Sequence, residues 1–65
     1  MNNRLIWYTK NKPAQSIWST DDAACEDIAK GLKAVGFTVV WTISTADSVL
    51  PKKGYEQEFE TWKKL

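Results

Sequence analysis

The side chains of this chain that could take part in chemistry are mainly aromatic rings and cations, and they are concentrated near the N-terminus. The set comprises Arg4, Trp7, Tyr8, Lys10, Lys12 and Trp18. Tryptophan and tyrosine are common anchors of protein–protein contacts, because they bury a large area and lose few rotamers. The same rings can stack on the bases of a single-stranded nucleic acid while nearby cations contact its phosphates. These six residues are the predicted binding residues.

Groups suited to catalysis are scarce in this sequence. Histidine is absent, which removes the commonest general base and the commonest metal ligand. The single cysteine, Cys25, would need a base beside it to act as a nucleophile, and its surroundings are typical of a small buried apolar residue. We therefore expect no enzyme and no cofactor, and we predict no catalytic or metal-binding residue.

An acidic cluster follows the aromatic segment. It consists of Asp21, Asp22, Glu26 and Asp27. Carboxylates at this spacing could bind a divalent cation or act in acid–base chemistry. Carboxylates in the first turns of a helix also stabilise the positive end of its dipole. We favour the second interpretation, because no other type of ligand lies nearby in the sequence.

Length and composition favour one small domain. A chain of 65 residues buries only roughly 60% of its unfolded surface, so the four Trp, two Tyr and two Phe are first of all core material. Nine basic and eight acidic residues leave a formal charge of +1, which argues against nucleic-acid binding driven by overall charge. No membrane span and no signal peptide are recognisable, and the lone cysteine is typical of a reducing compartment. A cytoplasmic location is expected.

An antiparallel hairpin is predicted over residues 4–20. Two runs rich in β-branched and aromatic residues flank a turn signal at Asn11–Ala14. A four-residue loop at that position would pair Trp7 with Trp18 and place both rings on one face of the sheet, with Tyr8 on the other.

A helix is predicted over residues 21–35, with a hydroxyl side chain before it as the cap. Its apolar stripe consists of Ala24, Ile28, Leu32 and Val35. Gly36 follows the stripe and can adopt the left-handed conformation that ends many helices.

The remaining segments are a strand over 37–44, a linker over 45–54 and a C-terminal helix over 55–65. The strand alternates between large apolar residues and small, mostly polar ones, so one face of the sheet is expected to be open. The linker has room for a short edge strand near Ser48–Leu50. The last helix carries Tyr55, Phe59 and Trp62 at spacings that place them on one side.

The predicted fold class is therefore α+β, a single domain of order β-β-α-β-α, with a three-stranded sheet packed by one or two helices. Both faces of the predicted hairpin are apolar. Either the two helices cover both faces, or one aromatic face stays exposed and binds a partner.

A local resemblance extends from Ser16 to Ile43, which is less than half of the chain. Its matching features are Ala23-Ala24, Ile28-Ala29, Leu32, Gly36-Phe37 and Val39. This stretch resembles the strand–helix–strand units of SPOR-type peptidoglycan-binding domains. The second unit of the doubled SPOR arrangement is missing, so the resemblance implies a helix-to-strand turn and no function.

The sequence favours a small non-catalytic module that binds a protein or regulates one through an aromatic sheet face, with self-association as one form of that role. The alternative is single-stranded nucleic-acid binding through the basic hairpin. No membrane or small-molecule partner is expected. The length is also common among bacteriophage and mobile-element accessory proteins.

Overall fold

A computed structural model describes residues 2–65, which form one antiparallel sheet and two helices. The elements in chain order are β1 (Asn2–Thr9), β2 (Lys12–Ser19), α1 (Asp22–Ala34), β3 (Thr38–Ser44), β4 (Val49–Pro51) and α2 (Glu56–Lys63). The α+β class and the element order are confirmed. The sheet has four strands in the order β2-β1-β3-β4, one more than predicted, because β4 pairs with the end of β3.

The register of the hairpin differs from the prediction. Trp7 lies opposite Gln15 and Arg4 lies opposite Trp18, with an irregularity between Trp7 and Thr9. The expected pairing of Trp7 with Trp18 is therefore wrong. Pro13 does not confine this segment to a loop, because β2 is an edge strand, where a missing backbone N–H is tolerated. The shift is by an odd number of residues, so it moves Trp18 to the opposite face from Trp7.

Helix α1 begins at a side-chain cap. The carboxylate of Asp21 accepts hydrogen bonds from the backbone N–H groups of Ala23 (3.0 Å) and Ala24 (3.2 Å). The cap is thus an aspartate and not the expected hydroxyl residue. At the other end, Gly36 has a φ of 101°, and the N–H of Phe37 donates to the carbonyl of Leu32 (3.0 Å). The predicted role of Gly36 is confirmed.

The core-facing side of α1 is offset from the predicted stripe. Cys25 and Ala29 are fully buried and Leu32 packs against them, whereas Ile28 and Val35 are exposed. The small side chains let the helix approach a sheet face that carries large residues. The predicted burial of Cys25 is confirmed.

The two helices cover opposite faces of the sheet. On the α1 side, Leu5, Val39 and Trp41 form a core with Cys25 and Ala29. On the α2 side, the core cluster consists of Ile6, Val40 and Phe59, with Tyr8 and Trp62 packed against it. The face of β3 that was expected to be open is closed, because Val40 and Thr42 are both buried.

The spacing predicted that Tyr55, Phe59 and Trp62 lie on one side of the last helix. The structure contradicts this prediction for Tyr55. Its ring packs edge-on against Trp41 at a centroid distance of 5.5 Å, and its hydroxyl accepts a hydrogen bond from Lys33 (2.6 Å). It therefore belongs to the α1 side, because the helix starts only after it, at Glu56. Among residues 2–65, neither helix has the length and apolar character needed to cross a bilayer.

Candidate binding surface on the hairpin

The structure separates the six predicted binding residues into two groups. Trp7 lies on the α1 side and packs partly buried against the core there. Arg4 and Tyr8 share the α2 side with Ile6, because side chains alternate along β1. Trp18 lies opposite Arg4 and therefore on the same side. Trp7 therefore does not belong to the candidate surface.

Arg4 and Trp18 form the first part of the surface. The guanidinium carbon of Arg4 lies 5.2 Å from the centroid of the Trp18 ring, a distance at which a cation and an aromatic face attract each other. The Nη2 atom of Arg4 donates to the hydroxyl of Ser16 (3.4 Å). Trp18 nevertheless keeps 56% of its surface exposed. A large ring is thus held in a defined orientation but is not covered.

Beside this pair, the sheet carries buried polar atoms without partners. Arg4 lies opposite Thr42 on β3. Within the described residues, Nε of Arg4, Oγ1 of Thr42 and Oγ of Ser44 are buried and make no hydrogen bond. Unpaired buried polar groups cost free energy, so this row of the sheet is less well satisfied than the core rows beside it.

A groove between the hairpin turn and the C-terminal end of α2 forms the second part of the surface. It encloses about 480 Å³ and is lined by Tyr8, Thr9, Lys10, Lys12, Ala14, Trp62 and Leu65. Its lining combines two aromatic rings, Tyr8 and Trp62, with two lysines, Lys10 and Lys12. The groove therefore brings together three of the predicted binding residues, Tyr8, Lys10 and Lys12.

Trp62 and Leu65 belong to the candidate binding surface, although the sequence did not indicate them. The spacing of Trp62 after Phe59 predicted only that it packs on the sheet. Its position against the hairpin turn depends on where α2 crosses the sheet, which no local pattern specifies. Leu65 follows the helix and is one of the most exposed apolar side chains among residues 2–65.

The charge of the hairpin is entirely positive. Arg4, Lys10 and Lys12 are its only charged residues, and all eight acidic residues of the chain follow residue 20. Residues 21–65 thus carry six cations and eight anions, although the chain as a whole is close to neutral. The net charge of the chain is close to zero because a basic hairpin is combined with a slightly acidic remainder. The positive charge of the hairpin favours an anionic partner there.

The acidic cluster has local roles in the structure. Asp21 caps α1, and Glu26 pairs with Lys30 (3.6 Å). Asp22 accepts a hydrogen bond from Asn3 (2.6 Å), whose own amide oxygen accepts one from the indole of Trp41 (3.0 Å). In the described part of the chain, no three His, Cys, Asp or Glu side chains converge as metal ligands would.

Comparison with known proteins gives no relative of this chain: no protein-family model, no curated protein and no solved structure matches it. The surface on the hairpin is therefore interpreted from its own geometry.

Proposed function

We propose that this chain is a non-catalytic module that binds a protein partner, and thereby regulates it, through the α2 side of its hairpin. The observation that carries the proposal is the exposed ring of Trp18, held by Arg4 on a strand that α2 leaves uncovered. Aromatic residues and arginine are the side chains most often found at the energetic centre of protein interfaces. The composition supports a role without catalysis, because histidine is absent and Cys25 is buried.

The two parts of the surface are spaced for an extended segment. Arg4 and Tyr8 are four residues apart on one strand, which corresponds to about 13 Å. One apolar side chain of the partner would contact Trp18, and a second would enter the groove between Tyr8 and Trp62. Both contacts lie on one side of the hairpin, so a single segment can reach them without turning.

The partner segment should be acidic as well as apolar. Arg4, Lys10 and Lys12 surround the two contact points, and no carboxylate lies on the hairpin to oppose an incoming anion. Charges at the rim of an interface act mainly on the rate of association and on specificity. We therefore expect binding that weakens with salt but persists, because the aromatic contacts do not depend on ionic strength.

A titration with a synthetic peptide tests this proposal. The probe is a short peptide of alternating glutamate and valine, and its control is the same peptide with lysine in place of glutamate. We expect the acidic peptide to shift the indole N–H signals of Trp18 and Trp62 in heteronuclear NMR spectra, with little effect on Trp7. No shift at either ring, or equal shifts with the basic peptide, would contradict the proposal.

A pair of matched variants makes the same test more specific. Trp18→Ala removes the exposed ring on β2, whereas Leu50→Ala removes a similarly exposed apolar side chain from β4, at the far edge of the sheet. We expect Trp18→Ala to weaken binding of the acidic peptide about tenfold or more, as for a residue at an interface centre, and Leu50→Ala to leave it unchanged.

Single-stranded nucleic acid is the second candidate, and the absence of carboxylates from the hairpin favours it. Base stacking would use Trp18 and Tyr8, with phosphate contacts from Arg4, Lys10 and Lys12. The position of Trp7 on the opposite face removes one of the three rings expected to stack. Oligo-deoxythymidine is the probe, and this mode requires that the affinity falls steeply with salt. Binding of the oligonucleotide but not of the acidic peptide would favour this candidate.

We also propose a cytoplasmic location. A lone cysteine in a small domain is typical of a reducing compartment, since secreted domains of this size usually depend on disulfides. Fractionation of cells that express a tagged copy tests this placement, and recovery of the tag outside the cytoplasm would contradict it.

A further inference from the structure

Arg4 is the only arginine of the chain, and within residues 2–65 no carboxylate pairs with it. The ion pairs in that part of the chain all use lysine. A guanidinium is a planar fork of N–H donors that matches the two oxygens of a carboxylate. The one side-chain bond that Arg4 makes, from Nη2 to the hydroxyl of Ser16, is exposed and long at 3.4 Å. Arg4 therefore keeps most of its capacity to bind an oxyanion.

Two hydroxyl side chains lie next to Arg4 on the same face of the sheet. Thr42 is directly opposite Arg4, and Ser44 is two residues farther along β3, so its side chain points to the same side. Thr42 is 1% exposed. In the described part of the chain, its hydroxyl, the hydroxyl of Ser44 and Nε of Arg4 are all buried and form no hydrogen bond. Three groups that can donate a hydrogen bond thus lie together without an acceptor.

We infer that Arg4, Thr42 and Ser44 form an oxyanion site, and that it takes the carboxylate of an aspartate or glutamate in the partner segment. This inference rests on the proposed function and assigns recognition of the acidic partner to these three residues. A carboxylate only accepts hydrogen bonds, and its two oxygens can together accept from all three donors. Binding would thereby remove the cost of the unpaired groups.

The charges of the sheet favour an anion at this position over a water molecule or a cation. Arg4 and Lys12 are the only charged residues on the four strands, and none of the strands contains an acidic residue. A bound water would satisfy the hydroxyls but would leave the charge of Arg4 uncompensated. Hydrogen bonds between ionised groups are also about twice as strong as neutral ones.

The site is closed in the free protein, because its three unpaired atoms are buried, and it opens when the Arg4 side chain turns. Two contacts hold that side chain, the ring of Trp18 at 5.2 Å from the guanidinium carbon and the 3.4 Å bond to Ser16. Both are weak beside a charged hydrogen bond. A carboxylate can therefore draw the guanidinium away from them, and the environment of Trp18 should change when it does.

The unpaired hydroxyl of Thr42 gains a function in this inference. A buried hydroxyl without a partner destabilises the free protein, and groups that break a local rule in this way are expected at functional sites. Thr42→Val should therefore stabilise the free protein and weaken its binding of a carboxylate. A purely structural role for Thr42 does not predict these opposite effects.

A titration with sodium acetate tests the site, with sodium chloride at equal ionic strength as the control. Because the chain has one arginine, the Nε–H signal of Arg4 is unique in heteronuclear NMR spectra. We expect acetate to shift this signal along a saturating curve and chloride to leave it nearly unchanged. Inorganic phosphate is the second probe. A saturating shift with phosphate but none with acetate would contradict the carboxylate assignment and favour the phosphates of the nucleic-acid alternative.

Matched variants locate the bound acetate. Thr42→Val should raise its dissociation constant about tenfold, as for the loss of a hydrogen bond to a charged group. Thr38→Val makes the same chemical change at an exposed position of the same strand and face and should have no effect. Ser44→Ala is the second test if Thr42→Val alters the fold, which circular dichroism checks. Arg4→Lys keeps the charge but loses the fork, so acetate should no longer shift the indole signal of Trp18.

The outcomes separate this inference from the proposed function. The inference is overturned if acetate gives no saturating shift at Arg4, or if Thr42→Val and Thr38→Val bind acetate equally well. In either case, shifts of the Trp18 and Trp62 signals with the acidic peptide would leave the proposed function intact. Acetate binding that Thr42→Val weakens, in a protein that ignores the peptide, would support the oxyanion site and contradict binding of an extended acidic segment.

Discussion

The two faces of the sheet are covered by helices that differ in length and in the size of their contact residues. Helix α1 has 13 residues, about 20 Å, and presents small side chains to the sheet. Helix α2 has eight residues, about 12 Å, and presents Phe59 and Trp62. The eight residues of β1 extend over about 27 Å, so α2 cannot cover the face that it packs on.

The candidate surface follows from this difference in coverage. On the α1 side, five buried residues form one continuous cluster from strand to helix. On the α2 side, the cluster ends before the row that contains Arg4 and Thr42, and α2 packs mainly over β3 while α1 extends to β2. The candidate surface is thus exposed because the short helix α2 leaves the outer strand β2 uncovered.

The largest expected effect comes from removing the centre of the α1 side. Trp41→Ala should lower the free energy of unfolding by about 4 kcal/mol, because it deletes a buried ring together with its hydrogen bond to Asn3. That loss is comparable to the total stability of such a domain, roughly 3–10 kcal/mol. Denaturation in urea measures it. Phe59→Ala on the α2 side should cost about 3 kcal/mol, and a larger loss there than at Trp41 would reverse the comparison.

Overpacking α1 tests whether small residues set its distance from the sheet. Ala29 is fully buried, and Ala29→Leu should destabilise the fold by about 2 kcal/mol, since the helix or the sheet must shift to make room. Ala34→Leu, at an exposed position of the same helix, is the control and should have almost no effect. Thermal unfolding of both variants compares them, and equal melting temperatures would contradict the close-packing explanation.

A gain in stability is expected from a substitution at Thr42, in the row of the sheet whose buried polar atoms lack hydrogen-bond partners. Thr42 is 1% exposed, and its hydroxyl oxygen has no hydrogen-bond partner within residues 2–65. Thr42→Val keeps the shape of the side chain and removes the unpaired polar atom, so it should stabilise the protein by about 1 kcal/mol. Denaturation in urea checks the sign, and a loss of stability would show that the hydroxyl is satisfied in solution.

The smallest effect on stability is expected at the exposed ring. Trp18→Ala removes the contact with Arg4 but no member of either core cluster, so the free energy of unfolding should fall by about 0.5–1 kcal/mol. Because the same change should strongly weaken peptide binding, stability and binding should separate at this residue. A loss of stability near that of Phe59→Ala would show that Trp18 is a core residue.

Several features of the fold were predictable because local chemistry specifies them. Gly36 ends α1 through a backbone conformation that other residues rarely adopt, and the alternation of β3 is visible in its residues alone. The predicted stripe of α1 was right at Leu32 and wrong at Ile28 and Val35. Ala24, Ile28, Leu32 and Val35 match helical spacing as well as Cys25, Ala29 and Leu32 do. The two sets lie side by side on the helix, and only the size of the opposing sheet residues decides between them.

The candidate site was predictable only in part. Tyr8, Lys10 and Lys12 were predicted as binding residues and do line one groove. The prediction that Trp18 lies on the face of Trp7, opposite to Tyr8, was wrong because it rested on a turn of the wrong length. Trp62 entered the site through the crossing of α2 over the sheet, which depends on contacts more than fifty residues apart in sequence.

By itself, the sequence determined the order of the elements, the absence of histidine and the positive charge of the hairpin, because propensity, composition and charge are properties of residues and their near neighbours. The tertiary structure alone decided the register of β2, the choice of the buried face of α1 and the extent of the sheet that α2 covers. Each of these depends on which of several similar pairings buries the most apolar area once the whole chain is folded. The exposure of Trp18 results from the register of β2, which places the ring on the α2 side, and from the limited extent of the sheet that α2 covers.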